Sequence, residues 1–431
     1  MSPSARHILA FEPFDTGSHR AVRRLIERHS RHRWTWLTRP GRAWKWRMRT
    51  AAIDMAAEVE RRRADIGDVD AVLVTSLMSA ADLRALLPAD VARLPMVMLM
   101  HENQAAYPYQ HRHSHEAQRD AHFALTNLTS VLAVDQVLWN SAWNRDSFLA
   151  HITDVLRHAP ERGAVDVDAC VRDKSHVWWL PVDTDGVTRA HSDVGDVCRV
   201  VWPHRWEHDK GPETLLRLAR RYSERWNLRW TILGESFRSV PRALQAFEHE
   251  FADRIDWFGF EPDRSRYLER MAACDWVLST ARHEFFGIAV VEALRLGCLP
   301  WLPTRLSYRE LLPERARHLH PGVIGLGSNS NSDSNSNSCS SCSTTNAVSN
   351  AENDNSAREQ ERAHGRAQAH VETRAELQRA VCAHLAPTAP TAAVSALDAH
   401  LDVFCDDQSA KRSNWPSSAG RRNDADDRGS S

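Results

Sequence analysis

Short apolar runs alternate with amphipathic stretches through both halves of the chain, and that alternation predicts repeated β/α units with parallel sheets. In the first half the runs His7–Phe11, Ala71–Thr75, Met96–Met100, Val137–Asn140 and Val177–Leu180 read as strands. Near-continuous Val, Leu, Ile and Met is what a strand covered on both faces requires. Helical spacing falls between them, as in His19–Arg28 and Thr50–Arg63. Pro181–Asp196, rich in Asp, Gly, Thr and Ser, reads as a linker. A second series follows, with strands Cys198–Trp202, Arg229–Leu233, Ile255–Phe258, Trp276–Ser279 and Cys298–Leu302. Helices Pro212–Trp226, Pro241–Phe251, Arg264–Ala273 and Gly287–Leu296 separate them. The expected fold class is α/β, with two Rossmann-like halves of similar size spanning 1–185 and 197–326.

The pattern then breaks. From Gly327 to Gly365 the tract "GSNSNSDSNSNSCSSCSTTN" and its continuation hold too little apolar surface to pack, so 327–365 reads as a disordered insertion. Helical spacing returns in Thr373–Leu385 and Ala392–Phe404, giving a helical segment over 366–405 and a polar, disordered tail over 406–431.

Composition excludes whole classes. At 431 residues, 42% hydrophobic and 26% charged, the chain is neither a fibrous nor a wholly disordered protein. Its net charge of −1 conceals two regions of opposite sign. His19–Arg63 holds fourteen Lys/Arg against four Asp/Glu, whereas everything from Gly327 onward holds ten against fourteen. A near-neutral total therefore leaves a nucleic-acid partner open. No secretory leader pattern opens the chain. The apolar stretch Phe285–Pro303 carries Glu292 and Arg295 and does not suit a bilayer, so no membrane partner is expected. Of eight Cys only Cys339-x-x-Cys342 has ligand spacing, and it lies in the Ser/Asn tract, which favours a reduced, cytosolic setting.

Four polar strings fall at expected strand ends, where open α/β sheets bind ligands. Asp15-Thr16-Gly17-Ser18-His19 offers a glycine turn and a helix start suited to an anion; taken alone, it reads better as a plain strand-to-helix turn with Ser18 as the cap. His101-Glu102-Asn103-Gln104 places a histidine and a carboxylate where a hydroxyl acceptor could be bound or deprotonated, or where a polar loop simply ends a strand. In Trp202-Pro203-His204-Arg205-Trp206-Glu207-His208-Asp209-Lys210-Gly211, Arg205 and Lys210 suit a diphosphate. In His283-Glu284-Phe285-Phe286-Gly287 and onward to Glu292, backbone donors at a helix start sit between two carboxylates eight residues apart. Two turns of helix would return Glu292 toward the face of Glu284, and such carboxylates accept sugar hydroxyls. The pairs Asp166-x-Asp168 and Asp183-x-Asp185 fall in polar loops and read as chance, so no metal site is assigned. The string "WTWLTRPGRAWKWRMR" interleaves Trp with Arg; its strand-like part reads as core, and Trp44–Arg49 as a candidate for exposed bases.

Taken in order, "TGSH", "RAWKWRMRT", "HENQ…YP", "WPHRWEHDKGPE", "LGE" and "ARHEFFGIAVVEA" resemble the tRNA-queuosine α-mannosyltransferase family across Arg6–Leu312. Glu284 and Glu292 resemble the E-x₇-E motif of retaining GT-B glycosyltransferases. The resemblance implies a GT-B fold, two Rossmann-like domains facing a central cleft. It also implies transfer of mannose from GDP-mannose to queuosine in the anticodon of cytosolic tRNA(Asp), with retention and without an obligatory metal or other cofactor. A lipid or polysaccharide acceptor is the alternative. Carried over, Arg205 and Lys210 hold the diphosphate, Glu284 meets the mannose hydroxyls and His101 lies near the acceptor hydroxyl or the transferred sugar. Gly17, Ser18, His19, Phe286, Gly287 and Glu292 bind the donor, the last through its ribose. Trp44, Lys45, Trp46 and Arg47 are assigned to the acceptor. The implied location is cytoplasmic, with the nucleus possible.

Overall fold

Eleven strands form two fully parallel sheets in the computed structural model of the chain, which describes residues 4–107, 115–157, 166–187, 197–223, 225–235, 239–322 and 374–413. The first sheet comprises β1 (His7–Asp15), β2 (Arg33–Pro40), β3 (Ala71–Thr75), β4 (Met96–Met100), β5 (Gln136–Trp139) and β6 (Ser175–Val177), in the order β2-β1-β3-β4-β5-β6. The second comprises β7 (Cys198–Pro203), β8 (Leu228–Leu233), β9 (Ile255–Gly259), β10 (Trp276–Leu278) and β11 (Leu299–Trp301), in the order β11-β10-β7-β8-β9. Strands β3 and β4 are buried at every residue, as helices on both faces demand.

Strand order reverses between β1 and β3 in one sheet and between β7 and β10 in the other. At such switch points the following loops splay to opposite faces and leave a crevice at the carboxyl edge. The loops after β1, β7 and β10 are those that carry the Gly17, Lys210 and Glu284 strings.

Three elements differ from the periodicity. β2, foreseen only as a strand-like stretch with core tryptophans, is the sheet edge: Trp34 and Trp36 stack at 5.4 Å and are half-buried, and of its residues only Leu37 is fully buried. The following helix starts at Trp44 rather than Thr50. β6 ends at Val177, because Trp178 and Leu180 leave the sheet edge for the core built with the second half and the C-terminal helix; the Trp178 indole donates to the Ala393 carbonyl at 2.8 Å.

The last helix, Pro390–Ser413, returns to the first sheet and packs on the helix Gly17–His29. It runs through 406–413, where a disordered tail was expected; Arg6 binds Asp406 within that extension, and Arg31 binds Asp402 one turn before it. The Ser/Asn tract at 327–365 and residues 414–431 lie outside the described residues. Among the described residues no helix is long and apolar enough to cross a membrane.

Asp398 anchors that returning helix. It is 3% exposed and accepts hydrogen bonds from Ser30 Oγ at 2.6 Å and the Arg31 amide at 2.8 Å. Asp398→Ala removes the shared acceptor of two part-buried donors, so a destabilisation of about 1–3 kcal/mol is expected from urea denaturation. An unchanged midpoint would remove Asp398 from the anchor.

Candidate active site

The two carboxyl edges face each other, and direct hydrogen bonds join them. Ser141 Oγ, just after β5, donates to the Phe285 carbonyl at 2.5 Å. The Glu310 carboxylate accepts the amides of Ala142 and Trp143, both at 2.9 Å, and so caps the helix Ala142–Arg157 from the opposite half. The cleft this closes is lined by Ser18, His19, His101 and Glu102 from the first half. Arg205, Asp209, Lys210 and Glu284–Gly287 line it from the second.

Lys210 sits at its centre. A single 3₁₀ turn, His208–Lys210, ends on Gly211 with φ +67°, where an added Cβ would stand 2.3 Å from the Thr280 carbonyl oxygen. Only glycine fits there, and the tight crossing brings the loop after β7 against the loop after β10. The Thr280 hydroxyl ties the two by donating to the Lys210 carbonyl at 2.7 Å. The Lys210 ammonium lies 3.1 Å from Asp209 and 3.3 Å from Glu284 and donates to the His283 carbonyl at 3.1 Å.

Electrostatics follow from this cluster. Burial would lower the Lys210 pKa, but Glu284 and Asp209 outweigh it and hold it above the ordinary lysine value. Burial likewise pushes Glu284 up, and Lys210 reverses it, leaving the carboxyl below its usual range. The neighbouring histidines answer that cation: burial and then Lys210 bring His204 down to about 3 and His283 to about 4, so both are neutral. Arg205, whose side chain is 54% exposed, reaches Glu207 at 3.4 Å and keeps its guanidinium at the mouth.

Across the cleft, His19 is the third residue of its helix and stacks on His101 with ring centres 4.1 Å apart. The His101 loop is held by asparagines. Asn103 donates to Asn144 at 2.7 Å, Asn144 to the Met100 carbonyl at 2.9 Å, and Asn140 to the His101 carbonyl at 2.7 Å. Asn103 of the HENQ string is therefore a buried brace rather than a cleft residue.

Of the residues singled out from the sequence, Ser18, His19, His101, Arg205, Lys210, Glu284, Phe286 and Gly287 meet in the cleft. Gly17, with φ +48°, supplies the turn that admits the helix. Glu292 is elsewhere. Its helix begins at Ile288, so Glu284 precedes it and the two-turn argument fails. Glu292 is instead buried against Arg264 at 2.7 Å, and Arg264 also donates to the Asp183 carbonyl at 2.8 Å. Trp44, Lys45, Trp46 and Arg47 do not line the cleft either. Trp44 packs on Phe123 at 5.2 Å, whereas Trp46 is 69% exposed. Their helix nevertheless starts at the same carboxyl edge, because Asp15 pairs with Pro40, and Gly41 presses on the Thr16 side chain.

Glu102, the carboxylate of the HENQ string, lines the cleft as well, together with Tyr107, Asn140 and Asp209, which had been given no roles from the sequence. Glu12 was missed as well. Its signal was a carboxylate inside the apolar run of β1, the kind of buried charge that needs a partner.

Comparison with known proteins places this geometry. Residues 7–182 match the family described as tRNA-queuosine alpha-mannosyltransferase N-terminal, and residues 195–302 match glycosyl transferases group 1. The chain is similar to the tRNA-queuosine alpha-mannosyltransferase of Drosophila melanogaster, with 32% identity over 325 residues that cover 73% of this chain and 84% of the relative. In fold it is similar to a sucrose-phosphate synthase from Thermosynechococcus elongatus, with 12% identity, TM-score 0.54 and coverage of 95% of this chain and 98% of that one. A Candida albicans trehalose-6-phosphate phosphatase N-terminal domain gives 10% identity and TM-score 0.59, covering 93% of this chain and 97% of that one. The two facing parallel sheets are a GT-B fold.

Lys210→Met tests the charge cluster. In the native protein Glu284 contributes stability above the usual carboxylate range, which is lost as pH falls through its lowered value. Without the ammonium, burial raises Glu284, and the sign reverses: the variant loses stability as pH rises from about 5 to 7. Denaturation midpoints at both pH values check this, and parallel pH profiles for the two proteins would refute it.

Proposed function

The chain belongs to the tRNA-queuosine α-mannosyltransferase family, and we propose that it transfers mannose from GDP-mannose to queuosine in the anticodon of tRNA(Asp), with retention of anomeric configuration. The observation that carries this reading is the Arg205–Lys210–Glu284 cluster, which faces His19 and His101 across a cleft between two parallel sheets.

Each residue has a role that its position supports. Lys210 and Arg205 meet the two phosphates and take the charge that grows on the leaving GDP as the C1–O bond breaks. Because these side chains supply the countercharge, no metal or other cofactor is assigned. Glu284, fixed by Lys210, accepts hydroxyls of the mannose, and the first N–H groups of the helix after Gly287, which have no intrahelical partner, face the donor. The acceptor hydroxyl attacks C1 from the face the phosphate leaves, and its proton passes to the departing phosphate oxygen. That path needs no protein nucleophile and returns the anomeric configuration of the donor. His101, held neutral by burial and by the neighbouring His19, lies at the acceptor side.

Trp44, Lys45, Trp46 and Arg47 form the rim assigned to the tRNA. Trp46 presents an exposed ring on which an unpaired base stacks, with Arg42, Lys45 and Arg49 exposed beside it. A cytosolic tRNA acceptor places the protein in the cytoplasm.

Incubation with GDP-mannose and queuosine-containing tRNA(Asp) is expected to add one hexose to the tRNA, removable by an α-mannosidase. GDP, and not UDP, is expected to raise the melting temperature. Lys210→Ala and Glu284→Gln should each lower turnover by roughly a hundredfold, whereas Trp46→Ala should weaken tRNA binding with GDP binding intact. Transfer to no tRNA, together with stabilisation by UDP alone, would overturn the reading.

A further inference from the structure

One buried carboxylate stands behind the cleft wall without lining it. Glu12 lies within β1 at 1% exposure, between the fully buried Phe11 and the strand's turn into the Asp15–Ser18 loop. Both of its oxygens are engaged. Oε1 accepts the Phe14 amide at 2.8 Å, and Oε2 lies 3.0 Å from His19 Nδ1. A carboxylate without a proton there requires the proton on Nδ1, so Glu12 sets which nitrogen of His19 donates inward. His19 in turn lies nearly parallel to His101, with 29° between the rings and 4.1 Å between their centres.

We propose that Glu12 is a positioning residue of the transferase site: its carboxylate orients His19 and holds it as the charged imidazolium, stacked on a neutral His101. Two imidazoles in face contact do not both carry charge, and the surroundings decide which one does. His19 faces Glu12, Glu102 and Asp15, the last already engaged by Arg20 and Arg23. His101 faces His19. Burial opposes charge on either ring, but the three carboxylates lift His19 above its ordinary pKa, while burial and His19 together push His101 well below. The three side chains bring possible ligand atoms within 4.8 Å of one another. Near-parallel rings, however, direct their in-plane lone pairs alongside each other rather than onto one cation, and Nδ1 of His19 is already bonded to Glu12.

The consequence for chemistry rests on the reading of the cleft as a nucleotide-sugar site. Lys210 and Arg205 approach the diphosphate from the second half, and a charged His19 at the start of its helix supplies the opposing positive wall from the first. Glu12 then governs turnover without touching either substrate.

The first test is histidine NMR on the full-length wild-type protein, following imidazole nitrogens against pH and assigning His19 by its loss in His19→Asn. His19 is expected to titrate above about 6.5 and His101 below it. The opposite order, or one shared midpoint, overturns the proposal. In Glu12→Gln, which keeps an acceptor but removes the charge, the His19 midpoint should fall. The alkaline limb of the pH–kcat profile should then move to lower pH. If the midpoint falls by about one pH unit, turnover at pH 8 slows about tenfold, with KM for tRNA unchanged and the rate at pH 6 close to wild type. An unmoved His19 midpoint or pH profile refutes it. A wild-type rate that requires added Mg²⁺ or Mn²⁺, with the requirement abolished in Glu12→Gln, would assign Glu12 to a cation instead. Failure of the wild type to transfer mannose would overturn the functional reading alone, because the titration of His19 needs no substrate.

Discussion

The carboxylate of Glu310, set on the amides of Ala142 and Trp143, is the constraint from which the cleft geometry follows. A helix start carries unsatisfied N–H groups and a partial positive charge, and it needs an acceptor. Here the acceptor comes from the other half of the chain rather than from the helix's own flank. Ser141, one residue upstream, donates to the Phe285 carbonyl and so pins the loop that presents Glu284 and Gly287. Two hydrogen-bonded contacts, from consecutive residues of the first half to Phe285 and Glu310 of the second, thus set how the two carboxyl edges oppose each other. The 3₁₀ turn at Lys210 and the stack of His19 on His101 face each other because of them.

Within the cleft the dominant problem is charge without water. A buried ammonium is costly unless paired, and Lys210 is paired twice, with Asp209 and Glu284. The pairing is loose enough to matter for binding. Both contacts exceed 3 Å, and Asp209 Oδ1 is buried with no hydrogen-bond partner among the described residues. An incoming anion therefore meets a cation whose partners are incompletely satisfied, and it can add to the cluster without first breaking a bidentate pair. The neutral state of His204 and His283 belongs to the same balance, since a second protonated group beside Lys210 would raise the energy of the empty site.

How much of this the sequence held depends on the range of each interaction. Strands buried on both faces announce themselves locally, and β1, β3, β4, β7 and β8 lie where apolar runs predict them. β2 was legible only as a strand-like stretch, because it has no continuous apolar run: Trp34 and Trp36 lie on one face and Arg33, Thr35, Leu37 and Arg39 on the other, with only Leu37 fully buried. The cleft strings were legible because they follow strands and hold residues that are uncommon in plain loops. Their partners were not. Glu310 meets a helix 167 residues away, and Asp398 meets a turn 367 residues away; no local pattern encodes either. The spacing of Glu284 and Glu292 misled for a definite reason. Counting turns assumes one continuous helix, and the chain makes a left-handed turn at Gly287, φ +85°, between the two carboxylates.

That turn divides the work of the two glutamates. Glu284 stays in the loop, on the cleft wall, where its charge is matched by an ammonium that also lines the cleft. Glu292 enters the helix and is buried among apolar residues, where burial pushes its pKa up and Arg264 opposes the shift. Arg264 is itself anchored to the connection between the halves, through the Asp183 carbonyl and the Asp185 carboxylate at 3.6 Å. The pair Asp183-x-Asp185, a chance spacing when judged as a metal site, thus anchors the arginine that lets a carboxylate remain buried. The two carboxylates of one sequence motif are in this chain two separate charge balances. One opens onto the cleft, and the other is closed against the segment that joins the two sheets.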